Sequence, residues 1–348
     1  MGDIDARFSC DYHEARARFR LATAGMEGGQ IEVLDGLSID WAWSGPAGAR
    51  RVLLYTSGLH GVEGFGGGAA QLETLSLGAD VATMYVHALN PYGWANLRRV
   101  NENNVDLNRN FLLPGQAYDG APPAYATLDG LLNPASPPGG LDTFWLSALW
   151  AIVTQGYGGV KNAVVSGQYD FAQGLFFGGK EMQRGPAATA NLLLDRLSDR
   201  ERVVHVDWHS ALGAFGDRTL LLEGAVDAVA ARRVRGVLGE GVRTWDASDS
   251  AAYTIRGGMT AFLLARLEGV RYDGLTCEFG TYPNLKVLAA LRGENRQHHW
   301  GGGATPPTHP TKRALVEAFA PASVDWRAAV LRHARDVHAG CIALLSAD

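Results

Sequence analysis

The chain has 348 residues, 47% hydrophobic and 19% charged, with 44 glycines. So small a charged share excludes disorder as the main state, and the length suffices to bury a sizeable core. Lys and Arg total 31 against 36 Asp and Glu, a net charge of −5, which is not the basic excess of a nucleic-acid binder. In chain order, residues 12–25 read as a helix, and 30–34 and 38–43 as two strands about a glycine turn. Residues 51–56 (RVLLYT) are a short apolar run bounded by turn residues, the pattern of a buried strand. The glycine-rich stretch 58–68 leads into a helix ending near Leu77. Residues 81–89 read as another strand, stopped by Asn90-Pro91-Tyr92-Gly93. Strand, helix and strand in that order argue for a parallel pair with a crossover helix. Residues 114–140 shift to Pro, Gly, Ala and Ser and read as a long surface loop, followed by a helix near 143–155. Then come a helix at 187–197, strands at 202–208 and 219–223, a helix at 226–238, a strand at 275–279 and a helix opened by Pro283. Residues 298–310 have the Gly and Pro content of a loop. Residues 323–345 read as a capped helix with Trp326, Val330, Val337, Cys341 and Leu344 on one face.

These elements predict an α/β fold. It is one domain over 1–348, a mixed, mostly parallel twisted sheet with helices on both faces, with a loop-rich insertion at about 112–180. Cys10, Cys277 and Cys341 are odd in number and far apart, so they form no disulfide framework. No apolar run reaches the ~18 residues of a membrane span, and the polar N-terminal stretch does not resemble a signal peptide, so a reduced cytoplasmic protein is expected.

Four places carry groups suited to chemistry. His60 and Glu63 follow the RVLLYT strand three residues apart, so both can face one point. Zinc accepts imidazole nitrogen and carboxylate oxygen, and a catalytic site takes three protein ligands. The other reading of the pair is a loop histidine and a glutamate favoured by a helix N-terminus. His209 ends the strand RVVHVDW, where ligands gather in α/β sheets, and can supply a third ligand or stay structural. His205 and Asp207 alternate along the same strand and read as core or edge residues. Residues 98–111 (RRVNENNVDLNRNF) crowd three arginines and five asparagines without lysine. Such groups either bind carboxylates and developing oxyanions or form a solvated loop. Glu278 lies inside the apolar strand LTCEF, which suits either a general base of raised pKa or a strand-end ion pair. Its neighbour Cys277 faces the other way and reads as packing.

Taken in order, HGVEG, NPYG, RRVNENNVDLNRNF, DWHS and CEFG resemble the zinc carboxypeptidase superfamily, including its succinylglutamate desuccinylase and aspartoacylase branch. The resemblance runs from about Arg51 to Arg296. It is nearest to a bacterial carboxypeptidase-like subgroup of unknown function, to which GQYDFAQGLFFGG (167–179) is also similar. The resemblance implies one zinc ion per chain held by His60, Glu63 and His209, with Asp106 orienting a ligand imidazole. It implies Arg98 as the group that polarises the scissile carbonyl, with Arg99 next in line. It further implies Asn108 and Arg109 as the clamp on a substrate carboxylate, Glu278 as general base, and Tyr253 as the family's mobile tyrosine. The activity implied is cleavage of an amide beside a free carboxylate: a C-terminal residue taken from a peptide, or an amino acid released from its N-acyl form. A binding protein on the same scaffold is the reading from another class.

Three weaker signals are set aside. Residues 174–180 imitate a phosphate loop, but Glu181 stands where a Ser or Thr is required, and an aromatic loop lining the cleft is the better reading. The glycines at 64–68 fit no dinucleotide fingerprint. His298, His299 and His309 read as a solvated loop.

Overall fold

The computed structural model describes residues 4–139, 142–222, 228–244 and 255–347. One sheet holds eight strands: β1 (Glu27–Leu34), β2 (Leu37–Ser44), β3 (Arg51–Ser57), β4 (Ala82–His87), β5 (Arg202–Ala211), β6 (Arg218–Leu222), β7 (Arg243–Thr244) and β8 (Arg271–Gly280). Their order is β1-β2-β4-β3-β5-β8-β6-β7. Four neighbouring pairs are parallel, β3 with β4 and β5, β5 with β8, and β6 with β7, and three are antiparallel.

The apolar run Val52–Tyr55 of β3 and the apolar Val203, Val204, Val206 and Trp208 of β5 follow from burial on both faces. Leu53, Tyr55, Val204, Val206 and Trp208 point into one core, completed by Trp326, Val330 and Leu344 of the C-terminal helix Val324–Ser346. Val52, Leu54 and Val203 point the other way, onto Leu193 and Leu197 of helix Arg184–Leu197 and Phe262 and Leu263 of helix Met259–Arg266. The crossover helix Gly64–Leu77 lies under the first face. No helix among the described residues is long and apolar enough to cross a membrane.

Three elements differ from their sequence readings. β8 begins at Arg271, not 275, because the charge of Asp273 is matched inside the fold by Arg202 and Arg233. The stretch read as a loop at 114–140 contains helix Pro123–Leu132, whose Tyr125, Leu128 and Leu132 recur at helical spacing and bury against Leu175 and Phe176. Helices Phe144–Gln155 and Tyr157–Val165 follow it, so the 112–180 segment carries three helices joined by loops. His298 and His299 belong to the last turn of helix Asn284–Trp300, and the loop starts only at Gly301.

The parallel strands β3, β5 and β8 lie side by side. Their carboxyl ends form the edge at which open α/β sheets bind ligands.

Candidate active site

β3 ends at Ser57, and the chain passes through His60 into the single turn Gly61–Glu63, which runs straight into helix Gly64–Leu77. The amides of Gly61 and Val62 donate to the carbonyls of Arg99 and Arg98 at 3.1 and 2.9 Å, tying the first motif to the third. Only glycine fits at 61, since a Cβ there would lie 2.1 Å from the Gly93 carbonyl carbon. His60 Nδ1 sits 2.9 Å from Glu63 Oε1. His209, near the end of β5, places its Nδ1 3.1 Å from Glu63 Oε2 and 3.2 Å from His60 Nδ1. All three side chains are buried, and their ligand atoms lie within 4.8 Å of one another. A tetrahedral ion with bonds of about 2.0–2.1 Å needs donors about 3.3 Å apart, so two imidazole nitrogens and a carboxylate at these spacings fit zinc.

The outer ring nitrogens are also held. His60 Nε2 lies 3.2 Å from Asp106 Oδ1, and His209 Nε2 lies 2.6 Å from Asp207 Oδ2. A proton on each Nε2 leaves each Nδ1 lone pair free for a cation. Thr56 Oγ1 donates to Asp207 Oδ1 at 2.6 Å and also contacts His205 Nε2, whose other nitrogen meets the Tyr272 hydroxyl. Glu63 Oε2 accepts from the Ser210 amide at 3.0 Å. Burial opposes charge on each of these groups and is overruled. His60 and His209 hold the Glu63 carboxyl below its ordinary range, Arg99 and His60 do the same for Asp106, and Asp207 and Glu63 lift the His209 imidazole well above its own. The cluster is built to hold positive charge.

The two adjacent arginines part company. Arg99 reaches the cluster, with Nε 3.0 Å from Asp106 Oδ2, Nη1 3.0 Å from Glu63 Oε1 and Nη2 2.8 Å from His60 Nε2. Arg98 does not. Its guanidinium is buried against Glu294 Oε1 (3.0 Å), Asn104 Oδ1 (3.0 Å) and Asn295 Oδ1 (3.3 Å), and Lys312 shares the same Glu294. The expectation that Arg98 faces the scissile carbonyl is therefore corrected: Leu97 adopts positive φ (50°) just before it, and the loop points the second arginine, not the first, at the cluster.

Arg109 and Asn108 line the same cleft of about 180 Å³ as the cluster, Arg99 and Glu278. The Arg109 guanidinium donates to the carbonyls of Val165 and Asn108, and among the described residues it has no carboxylate within ion-pair distance. Asn108 Oδ1 accepts from the Met259 amide at 3.1 Å. Glu278 is the register partner of His209 across β5 and β8, and it accepts from the Leu212 amide at 3.3 Å. Burial first, and the charge of Glu63 second, push its carboxyl up to about 8. Tyr253 lies outside the described residues.

One participant escaped sequence reading. Asp207 stands two residues before His209, hence on the same face of β5, and that D-x-H spacing was the available signal. Phe176, in the aromatic stretch read from the sequence as lining the cleft, does line it and sits under both Arg99 (5.3 Å) and Arg109 (5.9 Å). Phe176 and Ala211 line the cleft, and both have positive φ (55° and 113°), a strained state that tends to gather at functional sites.

Among solved structures, the chain resembles carboxypeptidase A from Helicoverpa armigera at 14% identity and TM-score 0.45, covering 90% of this chain and 75% of that one. It also resembles bovine thrombin-activatable fibrinolysis inhibitor in complex with tick carboxypeptidase inhibitor, at 12% identity and TM-score 0.47, covering 94% and 99%. A third likeness is to a Shewanella frigidimarina protein assigned to the succinylglutamate desuccinylase/aspartoacylase group, at 14% identity and TM-score 0.38, covering 79% and 69%. No curated protein matches the sequence. The profile of a family described as protein of unknown function, DUF2817, matches residues 8–333, and the chain belongs to that family.

Proposed function

We propose that this chain is a zinc-dependent hydrolase that cleaves an amide bond beside a free carboxylate, in the manner of a metallocarboxypeptidase removing a C-terminal residue. One observation carries the reading: His60, Glu63 and His209, the free charge of Arg109, the guanidinium of Arg99 and the raised carboxyl of Glu278 all line one cleft. His60, Glu63 and His209 would hold a zinc ion, which would supply Lewis acidity.

The remaining steps belong to the chain's own groups. Among the described residues, the hydrogen-bond partners of Arg109 are backbone carbonyls and not carboxylates, so its guanidinium, with Asn108 beside it, would bind a substrate carboxylate and fix the amide next to it. Glu278 would take a proton from the attacking water and hand it to the leaving nitrogen, and a carboxyl that titrates near neutrality suits both transfers. With the ring proton of His60 on Nε2 and directed at Asp106, that nitrogen no longer accepts from Arg99 Nη2. That arm of Arg99 is then available to the oxygen that gains charge, the part first given to Arg98.

The test is a screen of the zinc-loaded protein on short peptides and N-acyl amino acids, read by mass. Release of a free amino acid that stops on chelation supports the proposal. Zinc uptake without turnover of any amide carrying a neighbouring carboxylate would leave the scaffold as a binding protein.

A further inference from the structure

The surface of the helical insertion is unusual for a soluble face. Six of the twelve large apolar side chains most exposed among the described residues fall within 145–157: Trp145, Leu146, Leu149, Trp150, Val153 and Tyr157. Helix Phe144–Gln155 has no charged residue, and its other side is apolar too, with Phe144, Ala148 and Ala151 buried. A helix apolar all round is normally covered on all sides.

The exposed patch is continuous with the cleft. Ile152, from the same helix, lines the cleft together with Tyr157 and Val160 of the next helix and Leu285, Leu288 and Phe319 opposite. The Tyr157 hydroxyl accepts from Asn284 at 2.7 Å, joining the two walls at the rim. The charged side chains lining the cleft are the ones already given a part in the chemistry, so the rest of it is suited to apolar groups.

We propose that the acyl half of the substrate is a long aliphatic chain. It would leave the scissile amide along the apolar wall and lie across the exposed face of helix Phe144–Gln155. The substrate would then be an amphiphile, an N-acylated amino acid with its carboxylate on Arg109 and its tail on the insertion. Water adds across the amide, giving a fatty acid and a free amino acid. This rests on the hydrolase reading for the reaction, but not for binding.

The experiment compares N-acetyl, N-octanoyl and N-dodecanoyl derivatives of one amino acid, kept below micelle-forming concentration, on the zinc-loaded full chain. Binding is read by tryptophan fluorescence and turnover by mass. Affinity should rise up to about fourfold for each methylene removed from water. The dodecanoyl compound should shift tryptophan emission to the blue, and the acetyl compound should not. The triple variant Leu146→Ser, Trp150→Ser, Val153→Ser should lose the chain-length dependence while still handling the acetyl compound. Equal affinity along the series, or the same dependence in the variant, overturns the inference. So does a self-associated protein whose patch is closed by a second copy, seen as a dimer that the variant abolishes without any acyl effect. Chain-length-dependent binding with no hydrolysis of any member would keep the inference and sink the hydrolase.

Discussion

The carboxyl ends of β3, β5 and β8 and the helices of 123–165 beside them follow opposite rules. At the strand ends, buried polar atoms crowd together and hold one another. Glu63 alone meets two imidazoles, a guanidinium and a backbone amide. Among those helices, Phe144–Gln155 has no charged group and is apolar on both sides. The first arrangement is rigid and chemically specific, since a slip of one residue along a strand would turn His209 to the wrong face. The second is tolerant, since apolar contact has no direction. On the proposed reading, the sheet fixes the reaction and the helices of 123–165 choose the substrate.

Substitutions can break that separation or sharpen it. The largest effect is expected at Glu278. Glu278→Gln should keep zinc and amphiphile binding but lower kcat by about 10²–10⁴. Equal loss of zinc would mean that the residue supports the metal, not the proton transfer. Next come the neighbouring arginines. Arg99→Ala should reduce kcat by about 10²–10³, the usual loss for one oxyanion donor. Arg98→Ala should instead lower the melting temperature and spare kcat. Its cost should stay below the ~3–5 kcal/mol of an orphaned buried charge, because Lys312 still pairs with Glu294. The reverse pattern in kinetics and thermal unfolding would restore Arg98 to the site. A smaller effect is expected at Asp207: Asp207→Asn should weaken zinc affinity by about 10–100-fold, measured by competition with a chelator.

The smallest effect is a pH dependence of the metal-free protein. The Glu278 carboxyl is raised to about 8 in the fold, so the folded state binds its proton more tightly than the unfolded chain does. Its contribution to stability is full below the ordinary carboxyl range and fades as pH rises through about 8. Thermal unfolding of metal-free protein between pH 5 and 8 should therefore fall more steeply for wild type than for Glu278→Gln. Parallel curves would show that burial does not hold that proton.

Much of the frame was legible because it repeats short-range rules. RVLLYT and RVVHVDW are rich in the β-branched and aromatic residues of buried strands, and the C-terminal helix carries its cap at Ser323 and its apolar face at helical spacing. Residues 60, 63 and 209 could be proposed together, since strand ends and donor types are visible in the chain. What stayed hidden depends on contacts distant in sequence. Residue type does not distinguish Arg98 from Arg99: the sorting shows only in the backbone turn at Leu97 and in Glu294 and Asn295, some 200 residues away. Helix Pro123–Leu132 was obscured by its Pro and Gly surroundings and owes its form to the cluster beneath it. Asp207 passed as a core residue because its partners, Thr56 and His209, come from a different strand and from two positions on.

The most direct measurement is the zinc content of the purified protein and its His60→Ala and His209→Ala variants, taken by mass spectrometry after loading and gel filtration. One zinc per chain in the wild type, absent from both variants with the fold intact by circular dichroism, is the predicted result. A wild type that takes up no zinc, or variants that retain it, would contradict the claim that these side chains share one ion.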